Sequence, residues 1–179
     1  PNNFKMEFHG TVNLRQALSK SMNIPTVKFA EMAGFDAVAE LARDAGLSGV
    51  RGTPAMALGA YEVTPLDMAA AYTVFSNGGE WTKHNFIKEI RSESGGRIFE
   101  YKPVTRQVLD PRISYMVVDL MQEVLRSGTG AGARSRGFGL PAAGKTGTSH
   151  DAWFAGFTTK LLCVVDRKST RLNSSHVSQ

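Results

Sequence analysis

The spacing of apolar residues changes along the chain, and this change restricts the possible folds more than any other feature. In separate segments up to residue 77, and again over 111–125, apolar residues recur three or four positions apart, as in amphipathic helices, while 47–60 is rich in glycine and small residues and is expected to be a loop. After residue 140 the period becomes two, which is typical of strands. Helices that precede a group of terminal strands indicate an α+β fold with an antiparallel sheet, rather than alternating βαβ units.

Capping residues, prolines and glycines set the expected limits of these helices and strands. Asp36 is a candidate N-cap, and Pro25, Pro65 and Pro111 each stand in an expected first helical turn. The expected helices cover 12–20, 25–32, 36–45, 65–77 and 111–125, and the expected strands cover 142–149, 152–159 and 161–165. Glu93–Gly96 predicts a hairpin turn between strand-like flanks, and the glycine-rich stretch 127–132 predicts a flexible loop.

Composition narrows the class of protein. The chain has 179 residues, of which 42% are hydrophobic and 21% charged, enough for one globular domain. It has no apolar run of about 18 residues, and its formal charge of +5 is not gathered in a basic block, so neither a membrane span nor a nucleic-acid site is expected.

Cys163 is expected to be a buried small hydrophobe. The four histidines have no metal-ligand spacing, and we expect no metal or other cofactor.

The stretch GLPAAGKTGTS, residues 139–149, fits two incompatible patterns. Its first eight residues match G-x-x-x-x-G-K-[ST], the loop that cradles nucleotide phosphates with Mg²⁺. That loop requires a buried strand before it and a helix after it. Here polar, glycine-rich residues precede it and residues with strand spacing follow, so the nucleotide interpretation is the weaker one.

The second pattern is a Lys-Thr-Gly strand that lines the pocket of penicillin-recognising acyl-transfer enzymes. Lys145 would present its ammonium to a substrate carboxylate and to catalytic groups. Gly147 would allow a substrate to approach the backbone, and Thr146 and Thr148 would place two hydroxyls on one face. Taken alone, this pattern also fits an ordinary edge strand.

A second motif lies 122 residues before Lys145, at a predicted break between two helices. There Ser21 and Asn23 are two residues apart, so that a hydroxyl and an amide can face one cleft. The serine could relay a proton to a leaving amine, and the asparagine could orient a substrate amide. The alternative is structural, since Asn23 before Ile24-Pro25 is also a good helix N-cap.

With both motifs, the chain resembles the transpeptidase domain of penicillin-binding proteins over about residues 1–165. The resembling segments are HGTVNLRQALSKSMNIPTVKFAEMAG, ALGAYEVTPLDMAAAYTVFSNGGEW, VLRSGTGAGA and GKTGTSHDAWFAGFT. The G-x-V-x-L-R-x-A-L and S-G-T-G pieces are most similar to the bifunctional class A peptidoglycan synthases. The resemblance implies a penicillin-binding protein/β-lactamase-like fold, incomplete at both ends of this chain.

The resemblance implies serine acyl transfer that cross-links peptidoglycan stem peptides ending in D-Ala-D-Ala, with β-lactams as mimics of that end. It implies three catalytic residues: Ser21, Asn23 and Lys145. It implies four substrate-binding residues: Thr146, Gly147, Thr148 and Ser149. It also implies a place on the outer face of the bacterial cytoplasmic membrane, held by an anchor upstream of these residues.

Two departures from the family pattern limit these expectations. No serine in the chain has a lysine three residues later, so the nucleophile motif S-x-x-K is absent. We therefore expect a truncated chain that forms no acyl-enzyme by itself.

Residues 166–179 have no strand or helix period, and DRKSTRLNSSH resembles a translated sequencing adapter. We expect 1–165 to be a partial transpeptidase domain and 166–179 a tail that is not native, or else a genuine disordered terminus.

Two further functions stay open within the same fold. One is a serine β-lactamase-like protein, because the two motifs do not separate hydrolysis from transpeptidation. The other is a sensor or binding module that recognises penicillin without turnover. The long similarity to synthase segments favours the transpeptidase.

Overall fold

The computed structural model describes residue 3, residues 9–148 and residues 152–167 of the chain. The helices in this part are α1 (Leu14–Ser19), α2 (Asn23–Ala33), α3 (Phe35–Asp44), α4 (Pro65–Ser76), α5 (Pro111–Arg126) and α6 (Gly132–Ser135), with a 3-10 turn at Met56–Leu58. The strands are β1 (Glu80–Thr82), β2 (Glu89–Arg91), β3 (Arg97–Glu100), β4 (Thr105–Gln107), β5 (Ala142–Thr148), β6 (Ala152–Thr158) and β7 (Leu162–Arg167). The predicted α+β class is confirmed.

The last three strands form one antiparallel sheet in the order β5-β6-β7. Lys145 of β5 lies opposite Ala155 of β6, and Ala155 lies opposite Val164 of β7. The three strands follow the predicted segments closely, although β7 continues to Arg167, two residues beyond the predicted end of the apolar run. Residues 168–179 of the expected tail lie outside the described residues.

Helices α4 and α5 pack against this sheet, and α1 packs on α5. The buried side chains of α5 include Met121, Val124 and Leu125, which follow one helical face as the sequence predicted. Ser114 of the same helix is fully buried and donates its hydroxyl to the carbonyl oxygen of Val74 at 3.0 Å. This hydrogen bond ties α5 to the end of α4.

Two small antiparallel pairs lie apart from the main sheet. The hairpin of β2 and β3 is confirmed, with Glu89 opposite Glu100. The pairing of β1 with β4 was not predicted, because each strand has only three residues and the two are distant in sequence. Trp81 of β1 packs under Arg106 of β4, whose guanidinium carbon lies 5.2 Å from the ring centre.

Several helix limits differ from the sequence prediction. The N-cap of α3 is Gly34, and Asp36 is instead in the first turn, where its charge favours the positive end of the helix dipole. The N-cap of α2 is Met22, and Asn23 is the first helical residue, so the capping alternative for Asn23 was wrong. The predicted start of α4 is confirmed, since the Thr64 hydroxyl accepts from the N–H of Asp67 at 3.1 Å.

Two expectations about exposure and order were also wrong. Cys163 is exposed; it pairs with Gly156 of β6 and shares a face of β7 with the exposed Val165, two residues further on. The stretch 127–132 is not a free loop. It turns back on α5, with the N–H of Gly128 and of Gly130 donating to the carbonyls of Glu123 and Val124 at 3.1 and 3.0 Å.

Candidate active site

Strand β5 carries the Lys-Thr-Gly motif along an edge of the main sheet. Lys145 lies in the middle of this strand, and no helix follows it, because β6 pairs back antiparallel. A phosphate loop needs a helix N-terminus immediately after its lysine. The nucleotide interpretation is therefore wrong, and the extended-strand interpretation is confirmed.

The Ser-Met-Asn motif forms the turn between α1 and α2. Ser21 is exposed and has a φ of +54°, the left-handed region that serine rarely adopts. Its N–H donates to the carbonyl of Leu18 at 3.1 Å, which closes the last turn of α1. A strained residue of this kind is held in place by its surroundings and is typical of functional sites.

The structure brings Ser21 and Lys145 into direct contact. The ammonium Nζ of Lys145 donates to Ser21 Oγ at 2.7 Å and to the carbonyl oxygen of Thr146 at 2.8 Å. Burial lowers the pKa of Lys145 to about 8. Because the lysine donates to Oγ, the hydroxyl hydrogen of Ser21 remains available for another acceptor.

The other predicted residues surround this contact. Thr146 and Gly147 follow Lys145 along β5, and Thr148 ends the strand with an exposed side chain. A Cβ at Gly147 would lie 3.3 Å from the Cβ of Trp153, so the neighbouring strand favours glycine here. Asn23 begins α2 next to the Ser21 turn. Ser149 lies outside the described residues.

One residue at the site was not predicted as functional. Thr129, in the S-G-T-G stretch, places its Oγ1 2.5 Å from Oγ1 of Thr146. Its N–H donates to the carbonyl of Ser19 at 3.0 Å. The available signal was a single threonine between two glycines in a segment that resembles the family.

A lysine hydrogen bond further connects the S-G-T-G stretch, residues 127–130, to the Ser21 turn. Lys20 Nζ donates to the carbonyl oxygen of Ser127 at 2.6 Å. We call residues 127–130 the bridging loop, because it contacts both the Ser21 turn and β5.

Over residues 3, 9–148 and 152–167, no cluster of three His, Cys, Asp or Glu side chains is arranged to hold a metal ion. Within the same residues, no helix is both long enough and apolar enough to cross a membrane.

Comparison with known proteins decides the family. The family model described as the penicillin binding protein transpeptidase domain matches residues 2–161. The chain belongs to this family. Penicillin-binding protein 1A of Aquifex aeolicus (strain VF5) is 38% identical over 161 residues, which cover 88% of this chain and 22% of that protein.

Solved structures of penicillin-binding proteins share the fold. Penicillin-binding protein 1A from Haemophilus influenzae has a TM-score of 0.85 at 26% identity, over 92% of this chain and 31% of that one. The PonA1 protein from Mycobacterium tuberculosis, solved in complex with penicillin V, has a TM-score of 0.77 at 25% identity, over 92% of this chain and 50% of that one. The chain thus spans about a fifth of the length of this curated relative.

Proposed function

We propose that this chain is part of the D,D-transpeptidase domain of a peptidoglycan synthase. The observation that carries the proposal is the 2.7 Å contact between Lys145 Nζ and Ser21 Oγ, which joins the two motifs across one cleft. The reaction is acyl transfer from a stem peptide ending in D-Ala-D-Ala to an amine of a neighbouring strand. β-Lactams bind in the same cleft and acylate the same nucleophile.

The residues divide this work by their chemistry. Ser21 relays a proton to the leaving amine, and the ammonium of Lys145 polarises its hydroxyl. Asn23 orients a substrate amide. The hydroxyls of Thr146 and Thr148 donate to the terminal carboxylate, and the free edge of β5 pairs with the peptide backbone. Ser149, the next residue in sequence, is proposed to bind the same substrate.

The nucleophile is proposed to lie outside these 179 residues, in an S-x-x-K turn upstream. The domain would then act on the outer face of the cytoplasmic membrane, where its substrate is. By the same proposal, the 179-residue chain alone forms no acyl-enzyme.

The test is labelling with a fluorescent penicillin, applied to the full gene product that carries this sequence and to the 179-residue chain. We expect a stable covalent label on the first and no mass shift on the second. A mass shift on the short chain would refute its inactivity. Absence of label on the full product would refute the proposed chemistry.

Two assays on the full product separate the alternatives. Rapid turnover of a chromogenic cephalosporin would indicate a β-lactamase-like hydrolase. A stable label without cross-linking of peptidoglycan precursors would indicate a binding module or sensor.

We also propose that residues 166–179 are not native to this protein. The proposal rests on the likeness of DRKSTRLNSSH to a translated adapter. Sequencing genomic DNA across codon 165 tests it, and a genome that encodes the same tail would disprove it.

A further inference from the structure

We propose that Thr129 of the bridging loop is a positioning residue, which donates its hydroxyl hydrogen to Thr146 and so directs the hydrogen of Thr146 toward the substrate carboxylate. The inference rests on the proposed function, since it assumes that Thr146 binds a carboxylate.

The contact that carries the inference joins two hydroxyls on different elements. Thr129 Oγ1 and Thr146 Oγ1 are 2.5 Å apart, although the residues are 17 positions apart in sequence. Either oxygen can be the donor in this pair. The choice of donor decides what Thr146 can offer to a ligand.

The chemistry of the ligand fixes that choice. A threonine hydroxyl has one hydrogen to donate, and an ionised carboxylate can only accept. If Thr146 donated to Thr129, it would present only lone pairs to the carboxylate, which would repel it. When Thr129 donates instead, the Thr146 oxygen accepts that hydrogen bond and its O–H stays available for the ligand. Accepting one hydrogen bond also makes the Thr146 hydroxyl a stronger donor.

The backbone around Thr129 holds it in place for this task. Its N–H donates to the carbonyl of Ser19, and the N–H of Gly130 donates to the carbonyl of Val124, both at 3.0 Å. Gly128 packs so closely that a Cβ there would lie 2.3 Å from the carbonyl oxygen of Ser19. Lys20 adds a charged hydrogen bond to Ser127. The bridging loop thereby fixes the distance between the Ser21 turn and β5.

The experiment measures acylation of the full gene product by two probes, a penicillin and its methyl ester, which lacks the charged carboxylate. The measured quantity is the ratio of their second-order acylation rate constants. We expect Thr129→Val to lower this ratio roughly 5-fold, the scale of one hydrogen bond between two uncharged groups. Thr129→Ser keeps the hydroxyl and should keep the ratio. Thr105→Val, at an exposed position of β4, is the matched control and should change nothing.

A double mutant separates positioning from direct contact with the ligand. If Thr129 acts only through Thr146, then Thr129→Val should have no further effect on the ratio in a Thr146→Val background. An unchanged ratio in Thr129→Val, a lowered ratio in Thr129→Ser, or an additive double mutant would each overturn the inference. A wild-type protein that neither probe acylates would refute the proposed function itself, and the inference with it.

Thermal unfolding of every variant checks that the variant is folded. Should Thr129→Val fail to fold, Thr129→Ala gives the same comparison with less bulk, and the same outcomes apply.

Discussion

In the proposed function Lys145 is charged when it faces a carboxylate, yet it lies where burial disfavours the charge. Burial lowers its pKa to about 8, while the ammonium stays in contact with Ser21 and the backbone of β5. A functional site that buries a charge in this way lowers the free energy of unfolding of the protein. This loss of folding stability depends on pH, so it can be measured.

The pKa of Lys145 predicts how stability changes with pH. Its folded value of about 8 lies below the ordinary value of 10.5, so between these values the unfolded chain binds more protons. The free energy of unfolding of the wild type should therefore rise relative to Lys145→Met as pH increases from about 8 to 10.5, and stay parallel below 8. Urea denaturation across this range checks it.

Lys145→Arg is the control for that comparison, because a guanidinium keeps its proton throughout the range. It should lack the rise, as Lys145→Met does. A wild type that runs parallel to both variants from pH 7 to 10.5 would contradict the prediction.

Backbone strain at Ser21 gives a second prediction. At a φ of +54°, glycine adopts the conformation without the steric cost that a Cβ brings. Ser21→Gly should therefore be more stable than Ser21→Ala by about 1 kcal/mol, measured by chemical denaturation. The same pair of variants at exposed Ser94, whose φ is not positive, should not show glycine as the more stable. Equal results at both positions would mean that the strain is relieved.

Among the elements, the bridging loop depends most strictly on its sequence. A Cβ on Gly128 would meet the carbonyl oxygen of Ser19 at 2.3 Å and the Cα of Val124 at 2.8 Å. Both are backbone atoms, which cannot move without displacing α1 or α5. The loop therefore requires glycine for packing.

We predict that Gly128→Ala costs about 2 kcal/mol of stability, the usual scale of overpacking. Gly49→Ala is the control, because a Cβ there meets nothing within 4 Å and should change stability by less than about 0.5 kcal/mol. Thermal or urea unfolding of the three proteins measures both. A Gly128→Ala protein as stable as the control would show that the loop can shift.

The elements also show what the sequence can and cannot predict. Long periodic segments such as α5 and strong strand patterns such as β5 and β6 were predicted correctly, because their apolar spacing reflects burial directly. The cap of α3 was misassigned because the helix already begins at Phe35, directly after Gly34, and leaves Asp36 inside its first turn. The β1–β4 pair was missed because pairing between distant three-residue strands leaves no local pattern.

The site was predictable only in part for the same reason. Ser21 and Lys145 belong to recognisable motifs, whereas the role proposed for Thr129 depends on a contact across the fold. Local sequence can indicate which residues have the right chemistry. Which of them meet is decided by the packing of α5, α1 and β5.

Considered as a whole molecule, the described chain leaves an apolar side of its main sheet open. A groove beside this sheet is lined by Leu125, Phe138, Phe154 and Leu161, together with the exposed Cys163. Leu161 is 74% exposed. Open apolar surface of this kind promotes self-association.

The reactivity of the Cys163 thiol measures how accessible this apolar side of the sheet is to solvent. We predict that the thiol reacts with a small aromatic disulfide reagent at nearly the same rate in the folded chain as in urea, since Cys163 is exposed and is the one cysteine of the sequence. Absorbance of the released thiolate measures the rate. Strong protection in dilute native solution would contradict the prediction, whereas protection that grows with protein concentration would indicate association through this side.

The contact between Ser21 and Lys145 also has a consequence for synthesis, because 124 residues separate its two partners. Ribosomes add about 5–20 residues per second, so the second partner follows the first after roughly 6–25 s. During that interval α1 and α2 are already made, but β5 and the bridging loop do not yet exist. The nascent chain must keep its first half soluble until β5 has been made, so the contact between Ser21 and Lys145 forms only after most of the chain has been translated.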